Sequence, residues 1–384
     1  MIRYMDEFRS EAGARALAEE IRSLMPPKRK LAFMEICGGH TLTALKYGLP
    51  GLLPAGLSLK SGPGCPVCVT PQGYIDAAVA LAGRPGVVVT TFGDMLRVPG
   101  SAGSLLAARA EGRDVRVVLS PLEAVALAGT EPGKEIVFLG IGFETTAPTV
   151  ATAVIEAWEK GLANFSVLTA LKTMPEAMRA LLESRAVALD GFICPGHVTA
   201  IAGSRIYEPI AERYRLPCVV SGFEPTDMLA SIVLLLRQVR DRRCEVENQY
   251  RRVADREGNP AALAAMARVF TPADAVWRGL GNIPASGLAL KDEFAAFDSR
   301  RRFPLDLPEP REHPDCRCGD VMRGIVPPSR CPLFARSCRP DSPVGACMVS
   351  AEGACGIHYA YRTSPTSPKA GKESAWQNSL SIFR

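Results

Sequence analysis

Six of the chain's twelve cysteines lie in one run, DCRCGDVMRGIVPPSRCPLFARSCRPDSPVGACMVSAEGAC. Cys316, Cys318, Cys331, Cys338, Cys347 and Cys355 are interleaved with Pro327, Pro328, Pro332, Pro340, Pro343 and several glycines. Such a composition excludes long helices and strands. A loop-rich segment buries little apolar surface of its own, so something else must offset the entropy of ordering it. Dense cysteine points to a metal or a cluster. Fourteen residues separate Cys316 from Cys331, six separate Cys331 from Cys338, and sixteen separate Cys338 from Cys355. An iron–sulfur cluster accepts four thiolates delivered from distant positions by irregular backbone. Zinc prefers paired C-x₂₋₄-C knuckles, and the nearest approach to one here is Cys316-Arg317-Cys318. Inert or disulfide-bonded cysteines are the third reading.

The compartment bears on that choice. The N-terminal MIRYMDEFRSEAGARALAEE has no apolar signal-peptide core, and the longest apolar run, 228–236, is too short to span a bilayer. The expectation is a cytoplasmic protein, where clustered cysteines serve metal or redox chemistry more often than disulfide frameworks. A net charge of +5 without a basic block carries no nucleic-acid signature.

Upstream of the cysteine run, apolar strand patterns alternate with helical ones. Strands are predicted at 30–36, 57–60, 86–91 and 115–119, and again at 135–141, 165–171, 191–194 and 218–221. Alternation of this kind indicates parallel βαβ units, so the fold class is α/β. The restart near residue 135 predicts a first α/β domain over 29–134 and a second over 135–255. A helix within 1–28 is expected to pack on a loop-rich C-terminal domain over 256–362. Residues 226–250 read as one long helix, 271–310 as mixed, and the polar 363–384 as a disordered tail. Nearly every polar motif directly follows a strand: Cys37, Cys65, Asp94, Glu144, His197 and Glu224. In open α/β sheets, ligands bind outside the carboxyl ends of the strands, so these groups are expected to line one cleft.

Three motifs carry potential chemistry. Cys65-Pro66-Val67-Cys68 holds two sulfurs close enough for a reducible disulfide, or forms half of a zinc site. Cys37-Gly38-Gly39-His40 presents a thiolate and an imidazole that can face one metal; the alternative is a buried strand-end cysteine and a capping histidine. Cys194-Pro195-Gly196-His197 repeats that spacing, while Cys218 and Cys244 read as isolated thiols. Asp94, Glu144, Thr145 and Thr146 are candidates for substrate binding or proton transfer, or the threonines only cap a helix. Phosphate-cradling glycine motifs are absent, so no nucleotide is expected.

MEICGGHT, SGPGCPVCVTP, TTFGDMLRVPG, GFETTAPT, CPGHV, SGFEPTD and the terminal CPLF…GAC occur together and in this order. The combination resembles the HypD family of hydrogenase maturation factors, over about residues 30 to 361. The resemblance implies two Rossmann-like parallel domains followed by a C-terminal domain holding one [4Fe-4S] cluster. It nominates Cys316, Cys331, Cys338 and Cys355 as cluster ligands, and leaves Cys318 and Cys347 as supporting or redox-active thiols. It implies assembly of the Fe(CN)₂CO unit of [NiFe]-hydrogenase, with iron held between Cys37 and a thiolate of the small chaperone HypC. It also implies that cyanide would be delivered by HypE, carried as a thiocyanate. The resemblance further implies that Cys65 and Cys68 would relay electrons from the cluster; His40, Asp94 and Glu144, read from the residues alone, join Cys37, Cys65 and Cys68 as candidate catalytic residues. The expected state is a monomer within a heterodimer. Family members usually read CGGHTH, whereas Leu42 replaces the second histidine here and can neither ligate iron nor move protons. A stand-alone thiol–disulfide oxidoreductase and a zinc-stabilised interaction module are the readings from other functional classes.

Overall fold

The computed structural model describes residues 6–305 and 307–361; the predicted tail at 363–384 lies outside them. Two parallel sheets form the frame. Strands β1 (Leu31–Glu35), β2 (Leu57–Ser61), β3 (Val87–Thr91), β4 (Val115–Val117), β5 (Glu135–Gly142), β6 (Phe165–Leu171), β7 (Gly191–Pro195), β8 (Cys218–Ser221) and β9 (Val246–Asn248) run in chain order. One sheet has the order β2-β1-β7-β8-β9 and the other β4-β3-β5-β6. Every pairing within them is parallel. The α/β class is therefore as expected, and β5, buried along nearly its whole length, reads as a strand covered on both faces.

The division into domains at residue 134 does not match the pairing. The first sheet is built from β1 and β2 together with β7, β8 and β9, and the chain segment carrying β3–β6 is inserted between them. Periodicity identifies each βαβ unit but carries no information about which strand it pairs with. The N-terminal helix α1 (Glu11–Leu24) also departs from expectation. It buries Ala14, Ala18 and Ile21, packs on the helix Pro225–Asp241 of the first sheet, and is tied there by Arg9–Glu224 and Glu20–Arg237 ion pairs. The long helix predicted over 226–250 stops at Asp241, where Arg242 takes a left-handed cap, and β9 follows.

Residues 271–310 hold an antiparallel hairpin of β10 (Phe270–Trp277) and β11 (Gly281–Leu290). Its strands contain Pro272, Asp274, Pro284 and several alanines, all weak β-formers, so its sequence signal is faint. Packing of β11 along β6 and docking of the hairpin tip supply what propensity does not. Gly279 has φ +78°, and a Cβ there would overlap the backbone of Gly319 in the cysteine-rich segment. That segment is as loop-rich as predicted, with only short turns at Cys318–Met322, Pro328–Arg330 and Ala346–Met348 before the terminal helix Ala354–Ala360. No helix among the described residues is long and apolar enough to cross a membrane.

Candidate functional site

Cys37 leaves the end of β1 and caps the N-terminus of α2 (Gly38–Lys46). Two backbone approaches close around it. Gly38 N donates to Gly64 O at 3.2 Å, and a Cβ on Gly64 would overlap the Cys37 backbone. A Cβ on Gly38 would overlap the Glu352 carbonyl of the C-terminal segment. Both glycines are required by proximity, and together they bring three distant chain segments to one buried thiol. Burial, then the nearby Glu352 charge, pushes the Cys37 thiol up to about 12. It is therefore protonated at neutral pH until a cation displaces the proton.

Beneath Cys37 lies Glu35, a carboxyl in an otherwise apolar strand. Its Oε2 accepts from Cys37 N at 3.3 Å and its Oε1 accepts from the Thr41 hydroxyl. Burial raises Glu35 to about 8 despite these bonds. His40 is turned the other way. Its Nε2 donates to the carbonyls of Gly222 and Ser221 at 3.1 and 3.3 Å, which leaves Nδ1 as the unprotonated nitrogen, buried and without a partner. Burial lowers His40 to about 4, so it stays neutral. Phe223 is sandwiched between the His40 ring, at 4.6 Å, and the His197 ring, at 3.8 Å. Cys194 does not join His197 as a metal-binding pair: its thiol is fully buried against Cys218, while His197 is exposed on Phe223. Cys218 is accordingly not isolated.

Cys65 follows Gly64 directly, so the dithiol motif begins one residue from the Cys37 contact. It caps the single helical turn α3 (Pro66–Val69); its Sγ accepts from Cys68 N at 3.1 Å. Cys65 and Cys68 are joined as a disulfide and both are buried. A second disulfide joins Cys318 to Cys347. The turn Ala346–Met348, which carries Cys347, packs against α3. The two cysteine pairs thus sit on elements in direct contact, a relation that no sequence spacing announces.

Cys318 and Cys347 also line a small apolar cavity with Cys316, Cys331, Cys338 and Cys355. The last four are free thiols. Burial raises Cys355, and the negative charges that Cys338, Cys331 and Cys316 would carry raise it further. Four such groups cannot all ionise together unless a cationic core sits among them. Among the described residues, no three His, Cys, Asp or Glu side chains are grouped to hold one metal ion. In a tetrahedral zinc site, sulfurs about 2.3 Å from one metal crowd closely together. Four free thiols around one apolar cavity are a donor set that a cluster, with each thiolate on a different iron, can accept.

The remaining predicted residues are scattered around this centre. Asp94, exposed, accepts from Ser350 Oγ at 3.0 Å beside Glu352. Glu144 is buried at the end of β5, against which α3 packs. One of its oxygens accepts from Met174 N at 2.8 Å and the other has no partner; burial raises it to about 7. Thr146 occupies a helix N-cap without a capping side-chain bond. Leu42 is half-buried on α2. Sequence reasoning missed Glu35, although an acid inside an apolar strand is a legible signal, and missed Glu352, which has none.

The chain matches a family model described as "HypD: Hydrogenase formation hypA family" over residues 12–362. It is 47% identical over 368 residues to the hydrogenase maturation factor HypD of Rhizobium leguminosarum bv. viciae, covering 94% of this chain and 96% of that protein. The corresponding factor of Azotobacter vinelandii is 48% identical, covering 94% and 97%, and that of Escherichia coli K12 43%, covering 94% and 98%. With the thiol, the dithiol turn and the four-cysteine cavity brought together on two parallel sheets, this chain belongs to the HypD family of hydrogenase formation proteins.

Proposed function

We propose that the chain is a hydrogenase maturation scaffold that works with a HypC-type chaperone to hold iron and assemble its Fe(CN)₂CO ligand set. Cyanide arrives as a thiocyanate on HypE. The observation that carries this reading is the junction of Cys37 with the Gly64–Cys65 turn, which sets a metal-anchoring thiol beside a disulfide. Iron bound at Cys37 displaces the thiol proton, and a soft thiolate suits the low-valent metal that cyanide and carbon monoxide require. Releasing cyanide from a thiocyanate takes two electrons: the S–CN bond breaks, cyanide leaves with the pair, and the carrier sulfur becomes a thiolate. The Cys65–Cys68 dithiol supplies both electrons and two protons as it closes to a disulfide.

Cys316, Cys331, Cys338 and Cys355 are the residues that would hold a [4Fe-4S] cluster, whose chemistry is one-electron transfer. Between that cavity and α3 stands the Cys318–Cys347 pair, opening to two thiols with two electrons and two protons. A stand-alone oxidoreductase is the weaker reading, because a substrate disulfide would have to reach Cys65 and Cys68, which are 5% and 1% exposed. Thiol labelling tests the relay. Anoxic reduction of cluster-loaded protein with dithionite, followed by alkylation and mass spectrometry, is expected to add label to all four cysteines of the two pairs. In Cys347→Ser the Cys65–Cys68 pair should open at least tenfold more slowly. Equal rates with and without Cys347 would exclude the relay.

A further inference from the structure

The tip of the β10–β11 hairpin reaches both redox elements. Arg278 N donates to Val69 O at 2.8 Å, and Arg278 Nε donates to Thr70 O at 3.1 Å, so the residue holds the last carbonyls of the dithiol turn twice. Gly279, next along, is packed against Gly319, adjacent to Cys318. The Arg278 side chain is only 4% exposed. Its nearest carboxylate is Glu312, at 3.4 Å and itself half-exposed, with Asp76 more distant. Nη2 has no hydrogen-bond partner. Glu312 lies four residues before Cys316, so the guanidinium stands against the segment that leads into the four-cysteine cavity. An arginine cannot shed its proton to relieve burial. A buried cation with an open donor, packed between the dithiol turn and the cysteine-rich segment, is therefore a lasting electrostatic feature there.

We propose that Arg278 sets the reduction potential of the four-cysteine centre and fixes the dithiol turn against it. The inference rests on the cluster reading above. Reduction adds one negative charge to the centre, and a buried positive charge nearby stabilises that state more than the oxidised one. Two hydrogen bonds from the same residue to α3 hold the electron acceptor in register with the donor. Arg278 touches none of the reacting sulfurs through a bond and is a positioning residue.

The test uses full-length protein loaded and purified anoxically, with iron and acid-labile sulfide measured. The reduced centre is read by electron paramagnetic resonance during a potentiometric titration. In Arg278→Gln the reduced-to-oxidised ratio at a given potential is expected to fall about tenfold, equivalent to about 59 mV for one electron. Arg278→Lys, which keeps the charge, should stay within about threefold of wild type. Glu312→Gln removes the partial counter-ion on the surface and should move the ratio two- to threefold the opposite way. A merely structural arginine does not produce shifts of opposite sign in these two variants. Full iron and sulfide with an unmoved ratio in Arg278→Gln overturns the proposal, as does a Glu312→Gln ratio that stays put or falls. If Arg278→Gln does not fold, the sign in Glu312→Gln decides. Wild-type protein without iron and sulfide overturns the cluster reading itself, and this inference with it, before any variant is made.

Discussion

Cys37→Ala is expected to fold, to load its C-terminal centre fully, and to support no hydrogenase maturation. The thiol is 8% exposed, and losing one sulfur from a packed site costs about 1 kcal/mol, well within the stability of a chain this size. Its neighbours remain: Glu35 still accepts from the backbone of residue 37, and Gly64 still accepts from Gly38. What disappears is the soft donor at the junction, and neither the carboxyl of Glu35 nor His40, whose ring is bonded to the Ser221 and Gly222 carbonyls, replaces a thiolate. Hydrogenase activity in a host lacking its own copy of the gene should fall by at least a hundredfold, with acid-labile sulfide per chain, and the cluster iron that accompanies it, unchanged. Maturation at the wild-type level in this variant would remove Cys37 from the account.

Cys355→Ala is expected to do the reverse at the other end of the site. Cys355 lies on the terminal helix Ala354–Ala360 and lines the same cavity as Cys316, Cys331 and Cys338. The surrounding segment has little regular structure, so a centre bound there would contribute a large share of what orders it. The variant should lose most of its iron, sulfide and visible absorption. Its melting temperature should fall by roughly 5–10 °C relative to the loaded parent. Because Glu352, three residues upstream, closes against Gly38, loosening this segment should also impair Cys37 chemistry, and maturation should be lost here too. A variant that keeps full iron and sulfide would show that Cys355 is not a ligand.

Much of the fold was legible. Each of the eight predicted strands is present, and the polar motifs do follow strand ends, because buried parallel strands read as short apolar runs and their loops carry the exceptions. Pairing was not legible. The apolar pattern of Leu31–Glu35 does not specify that, with Leu57–Ser61 on one side, its other neighbour is the distant Gly191–Pro195, so the two sheets interleave where a simple succession was expected. The hairpin at 270–290 escaped for another reason: its strand β11 lies along β6 and the residues that follow it, where Thr173 N donates to Ser286 O and Thr169 Oγ1 to Leu288 O, and its tip docks on Gly319, all tertiary contacts without local signature.

The same split runs through the site. Cys37, Cys65, Cys68 and the four cavity thiols are visible as motifs because the chemistry proposed for them needs cysteine. Glu352, Ser350 and Arg278 belong to the site only because a distant segment folds back onto it. His40 shows the opposite case. Its spacing from Cys37 suits a shared metal, yet its ring is committed to the Ser221 and Gly222 carbonyls and stacked on Phe223.

The most direct test of the central claim, that iron carrying cyanide and carbon monoxide is assembled on Cys37, is an infrared spectrum of the protein isolated anoxically from its host with its bound partners. Proteins are nearly silent where metal-bound cyanide and carbonyl absorb. The account predicts bands of both kinds in the wild-type complex and none in Cys37→Ala. A blank spectrum from wild-type protein that is loaded and partner-bound, or bands that persist without Cys37, would contradict it.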